Sequence, residues 1–81
     1  MKTITDYKSL PVNHKAEILW SKGEFIEAIE YRDYDVSLYA IDGLFVEMFY
    51  SVKDNQIEDI RVVEDNSRLK LYPIAAIRKV A

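Results

Sequence analysis

The chain has no cysteine. A disulfide staple and a thiolate metal site are therefore excluded. Its single histidine, His14, cannot build a metal or catalytic centre that needs two imidazoles. Glycine occurs only at positions 23 and 43, so the chain has no glycine-rich phosphate loop. No apolar run approaches the ~18 residues that a membrane-spanning helix needs, and no membrane association is expected. The segment Met1–Asp6 lacks the long apolar stretch of a secretion signal, which makes a cytoplasmic location the default expectation.

What remains describes a small globular domain. The chain has 81 residues, nearly half of them apolar and about a third charged, with a net charge of −3. One domain over 1–81 is expected, with the aperiodic residues 1–10 as a flexible arm that Ile4, Tyr7 and Leu10 can tie down. A domain this short often draws stability from disulfides, metals or a partner. With the first two excluded, self-association is the remaining route, and a homodimer is expected. No metal and no cofactor is expected.

Charge is segregated. Residues 1–65 hold 7 basic and 14 acidic side chains, whereas 66–81 hold Arg68, Lys70, Arg78 and Lys79 and no acid. These four are candidate contacts for an acidic partner. Basic side chains also suit the C-terminal end of a helix, where the backbone dipole is negative.

Apolar spacing predicts a helix over 12–22, with Val12, Ala16, Leu19 and Trp20 on one stripe and Ile18 widening it. Gly23 follows and can adopt the left-handed conformation that ends helices. Four strands come next, near Glu24–Arg32, Asp35–Ile41, Leu44–Val52 and Ile57–Glu64. They are rich in Val, Ile, Tyr and Phe. Their connections are too short for crossover helices, so neighbours pair antiparallel. Asp42-Gly43 between apolar strands marks a two-residue hairpin turn. Asp54-Asn55 is read as a second such turn, and Arg32-Asp33-Tyr34 gives the first. A short turn over Arg68–Tyr72 and a C-terminal helix over 73–80, begun by Pro73, complete an α+β domain: a helix, a four-stranded antiparallel meander and a helix.

These turns imply a register. Val36, Leu38, Ala40, Phe45, Phe49, Ile60 and Val62 share one face. Tyr39, Ile41, Leu44, Val46, Met48, Tyr50, Val52, Ile57 and Val63 share the other, with Ser37, Asp59 and Arg61. Both faces are apolar, which a sheet with one solvated side would not be. The Trp20 helix can cover one. The other awaits the C-terminal helix, the arm or a second subunit. Tyr39, Ile41, Leu44, Val46, Met48 and Tyr50 are the candidate interface. A bulge would move residues between faces. On the first face Glu47 lies between Leu38 and Val62 as a candidate buried acid. A tyrosine hydroxyl, a helix N-terminus or the sheet margin can satisfy it.

Other chemistry fails on spacing. No serine is placed to pair with His14, which reads as a solvated residue of the first helical turn. Glu58 and Asp59 are adjacent in a strand and point to opposite faces. Asp33-Tyr34-Asp35 lacks the glycine and terminal glutamate of a calcium loop. Gly43–Phe49 is an aromatic strand, but Asp42 precedes it where RNA-recognition strands begin basic. Nucleic acid is expected only through the basic C-terminal segment. The six tyrosines, among them Tyr31, Tyr34, Tyr39 and Tyr50 of the strands and turns, suit an interface or a small pocket.

Ala16-Glu17-Ile18-Leu19-Trp20, Gly23, Phe25, Leu38-Tyr39, Phe45–Tyr50, Ile57, Ile60, Leu69 and Tyr72 form a pattern of apolar positions. It resembles that of small uncharacterised bacterial proteins built as a helix, a β-meander and a C-terminal helix. The resemblance covers about residues 12–77 and implies that fold and a bacterial origin. It implies no activity and no site residue.

The sequence thus points first to a non-enzymatic protein-interaction module, self-paired or bound to another protein. The alternatives are a small-ligand binder or enzyme using Glu47 as a buried acid, and a nucleic-acid-linked regulator using the basic segment.

Overall fold

A computed structural model describes residues 7–73. Helix α1 spans Val12–Lys22. Strands β1 (Glu24–Tyr31), β2 (Tyr34–Ile41), β3 (Leu44–Ser51) and β4 (Gln56–Val62) follow in chain order. They form one open antiparallel sheet of order β1-β2-β3-β4. A 3-10 helix, Asn66–Leu71, ends the described chain. The α+β class and the meander are as the sequence implies. The C-terminal helix expected over 73–80 lies, beyond Pro73, outside the described residues. The short turn expected at Arg68–Tyr72 belongs to the 3-10 helix.

Pro11 precedes α1 in an extended conformation, and its carbonyl accepts the first helical bond, from Lys15 N–H at 3.0 Å. Gly23 ends the helix, but at φ −80° rather than in the left-handed region. Its lack of a side chain matters for a different reason. A Cβ there would lie 2.7 Å from the Leu19 carbonyl oxygen, which also accepts the Gly23 N–H. Asp42 and Gly43 both have positive φ, as the two-residue hairpin demands.

Ala16 and Leu19 drive α1 onto one face of the sheet, with Val12 and Ile18 beside them. Tyr7 and Leu10 pack there too, so the expected arm is held down from residue 7 onward. Trp20 is not part of this stripe. It stands about 100° around the helix from Leu19 and is 61 % exposed.

The register of β2 with β3 matches the expected one, with Ile41 opposite Leu44, Tyr39 opposite Val46 and Ser37 opposite Met48. That of β3 with β4 does not. The connection is a four-residue turn that leaves Ser51 opposite Gln56 and Tyr50 opposite Ile57. A bulge then skips Glu58, and Phe49 faces Asp59. The shift carries Ile60 and Val62 to the α1 side, opposite Met48 and Val46, and turns Asp59 and Arg61 to the far side. Glu47 therefore has Arg61, not Val62, as its β4 neighbour. A second bulge, between Phe25 and Glu27, leaves Ile26 unpaired in β1.

Two cores result. The helix-side core gathers Tyr7, Ala16, Leu19, Ile41, Val46, Met48 and Ile60, and contains no residue of β1. The far-side core gathers Ile26, Leu38 and Tyr72, with Leu69 and Val63 against them. The segment after β4 thus folds back over the second apolar face, a role that a second subunit was also expected to fill.

Candidate functional site

On the far face Glu47 is 1 % exposed. Alternation along β3 aims its side chain under the returning segment, between Leu38 and Arg61. Asp65 begins the 3-10 helix by accepting the Ser67 N–H at 3.0 Å, a bond that holds its carboxyl below the ordinary range. One turn later Arg68 reaches inward. Its Nε donates to Glu47 Oε1 at 2.6 Å and its Nη2 to Oε2 at 3.2 Å. The Tyr72 hydroxyl donates to Oε2 at 2.7 Å.

This two-pronged pairing suits a planar guanidinium and a carboxylate. The bond to Glu47 raises the Arg68 pKa, despite partial burial acting the other way. The Tyr72 hydroxyl is raised by burial first and by its bond to Glu47 second. Both oxygens of the candidate buried acid are thus engaged, one of them twice. The tyrosine hydroxyl that the sequence allowed as a partner is Tyr72. Arg68 was read from sequence as a contact for an acidic partner, and here its carboxylate is Glu47. The pairing was illegible because the two lie far apart in sequence and no local pattern brings them together.

Beside this pair the far face carries an aromatic patch. Phe49 meets Tyr34 edge-on, with ring centres 5.9 Å apart. Arg61 and Arg68 stand over Phe49 at 5.0 and 5.9 Å, and Arg32 stands over Tyr31 at 5.4 Å. Arg61 Nε is also 2.6 Å from Asp59 Oδ2. The Tyr34 hydroxyl donates to Glu58 Oε1 at 3.1 Å, which raises its pKa. All of these side chains except Arg68 border an open cleft of about 270 Å³.

The six candidate interface residues belong to the α1 side. Ile41, Val46 and Met48 are buried beneath α1 within this one chain, and Leu44 packs at the edge of the same core. They present little or no surface to a partner, because the bulge adds Ile60 and Val62 to that face and α1 closes over it. Tyr39 and Tyr50 are half-buried at its margin. Tyr39 meets Phe25 edge-on at 5.7 Å, and Phe25 is 55 % exposed. Exposed Trp20 and Phe25, at the end of α1 and the start of β1, are the residues that sequence reasoning did not place in the interface. Phe25 lies on the edge strand and Trp20 on the exposed side of α1, both outside the helix-side core, and that placement is the signal it lacked.

Lys70 is exposed, while Arg78 and Lys79 lie outside the described residues. Among the described residues no group of His, Asp and Glu is placed to hold a metal ion, and no helix is long and apolar enough to cross a membrane. Comparison with protein-family models, curated proteins and solved structures finds no match.

Proposed function

We propose that this protein is a non-enzymatic protein-binding module whose contact surface is the margin of the sheet that α1 leaves open. One observation carries the reading. Trp20 and Phe25 are 61 % and 55 % exposed, and Phe25 is stacked edge-on against half-buried Tyr39 at the rim of the core. Aromatic side chains of this kind supply rigid contact area at binding surfaces. A homodimer through the α1 face loses its first ground, since that face is filled from within the chain. A second copy bound at the aromatic margin remains one outcome of the test.

The test compares the wild-type chain with the double variant Trp20→Ser, Phe25→Ser. Both residues are exposed, so the variant should keep its far-ultraviolet circular dichroism, with its melting temperature lowered only by loss of the Phe25–Tyr39 ring contact. Light scattering over a range of concentrations reads self-association, and crosslinking in cell extract reads other partners. The double variant should lose the partner, whether a second copy or another protein. The same mass and the same crosslinked proteins for both chains would reject the surface.

The open cleft bordered by Tyr31, Tyr34 and Phe49 favours a second reading, capture of a small molecule. It does not use Glu47 as an acid, because that carboxylate is enclosed by Arg68 and Tyr72. Tyr34→Ala should then abolish ligand-induced quenching of tyrosine fluorescence.

A further inference from the structure

We propose that β1 is the edge through which this protein engages its partner, and that it accepts an extended, basic segment of another protein as a fifth strand. The proposal rests on the reading of the chain as a protein-binding module and specifies the partner's chemistry.

The two edges of the sheet are not equivalent. On β4 both main-chain groups of Ile60 are taken by side chains. Its N–H donates to Asp59 Oδ1 at 2.8 Å, and its carbonyl accepts from Lys15 Nζ at 3.2 Å. Lys15 is rooted in α1, which packs on the core, so a strand arriving at β4 would have to displace a held ammonium. The Glu58 bulge breaks the regular spacing that such a strand would need.

On β1 the guard is weaker. The Ala28 N–H donates to Glu27 Oε1 at 3.1 Å, a surface contact within one pair of neighbours. Among the described residues nothing else engages the outer side of β1, and Ala28 itself is exposed. Strand addition gains main-chain hydrogen bonds along such an edge, with side chains supplying selectivity.

The side chains of β1 select the occupant. Glu24 and Glu27 lie on the far face, and Glu30 lies on the α1 face opposite Asp35. Neither β1 nor β2 contains a lysine or arginine. A lysine or arginine of an added strand therefore meets a carboxylate on either face, while Phe25 offers it apolar contact. Two copies of this chain joined through β1 would instead bring these glutamates together, an arrangement that sheets use to prevent edge pairing. The occupant is a different, basic chain.

The experiment uses the full chain, isotope-labelled for NMR, and three synthetic octapeptides. The first alternates lysine and valine, the second replaces lysine with glutamate, and the third is the lysine peptide with alternate amides N-methylated. The lysine peptide should shift the β1 resonances and slow Ala28 amide exchange. Its affinity should fall about tenfold in Glu24→Lys, Glu30→Lys, where two exposed attractions become repulsions. It should be unchanged in Glu17→Lys, Glu64→Lys, which alters net charge equally away from β1.

Equal losses in the two variants, equal binding of the N-methylated peptide, shifts centred away from β1, or no binding would each overturn strand addition. Should strand addition fail while the Trp20 and Phe25 variant still loses its partner, the broader reading stands without it. Should the lysine peptide bind at β1 while that variant keeps its partner, the aromatic margin is the part that falls.

Discussion

Glu47 presents two carboxylate oxygens, and Arg68 and Tyr72 occupy both. The pair is unequally buried: the Arg68 side chain is 37 % exposed and that of Glu47 is 2 % exposed. Removing either partner therefore has different consequences. Arg68→Ala leaves a buried carboxylate with one hydroxyl, and such a loss costs about 3–5 kcal/mol. Glu47→Gln leaves a neutral amide that can still accept from Tyr72, and an arginine that can turn to water. It should cost about 1–2 kcal/mol, near one charged hydrogen bond. Urea unfolding of the two variants checks the order. If Glu47→Gln is the more damaging, the carboxylate's burial is not what the arginine compensates. Glu47 was legible as an isolated acid on an apolar face. Its partners were not, since nothing local in the sequence brings residues 68 and 72 to residue 47.

Each element boundary rests on a local rule, and the exceptions show where packing intervenes. The Asp42-Gly43 hairpin and the β2–β3 register follow from turn chemistry alone, because two positive φ values leave few residue choices. Gly23 looked like a residue chosen for left-handed φ, and its φ is negative. Its real constraint is the close approach of the Leu19 carbonyl as α1 turns directly into β1. Gly23→Ala should therefore destabilise the fold by about 1–3 kcal/mol, the usual range for a steric insertion at a packed site. Thermal unfolding measures it, and an unchanged midpoint would show that the α1–β1 junction relaxes freely. The β4 register failed for a related reason. Asp54-Asn55 resembles a two-residue turn, but the chain makes a four-residue one, closed by Asp54 N–H donating to Ser51 Oγ at 3.1 Å. Skipping Glu58 then places Ile60 and Val62 beneath α1, where their burial outweighs one interrupted ladder position.

At the scale of the whole molecule, two buried tyrosines tie the ends of the described chain to opposite faces of the sheet. Tyr7 donates to the Lys15 carbonyl at 2.9 Å on the α1 side, and burial pushes its hydroxyl up to about 12. Tyr72 on the far side is raised as well, by burial and then by Glu47. A group whose pKa is higher folded than unfolded stabilises the fold below its unfolded value. It loses that contribution as pH climbs toward the folded one. Stability should therefore hold up to pH ~10, the unfolded value for tyrosine. Above it, stability should fall by up to about 1.4 kcal/mol per pH unit for each tyrosine, until the folded pKa is reached. Denaturant unfolding from pH 9 to 11.5 reads the slope, and Tyr7→Phe should make it shallower. An identical slope in that variant would mean that the Tyr7 hydroxyl ionises as freely folded as unfolded.

Local sequence patterns were enough for the order of α1 and the four strands, the antiparallel meander, the β2–β3 register and the presence of an acid where acids are costly. These depend on side-chain period and turn chemistry, which act over a few residues. The tertiary structure decided which face each β4 residue takes, what neutralises Glu47 and which apolar surface stays open. A single skipped residue reverses side-chain alternation, and only the packing of α1 against β4 selects that skip. Likewise the exposure of Trp20 and Phe25 follows from where α1 lies over the sheet, a relation between distant parts of the chain that no local pattern encodes.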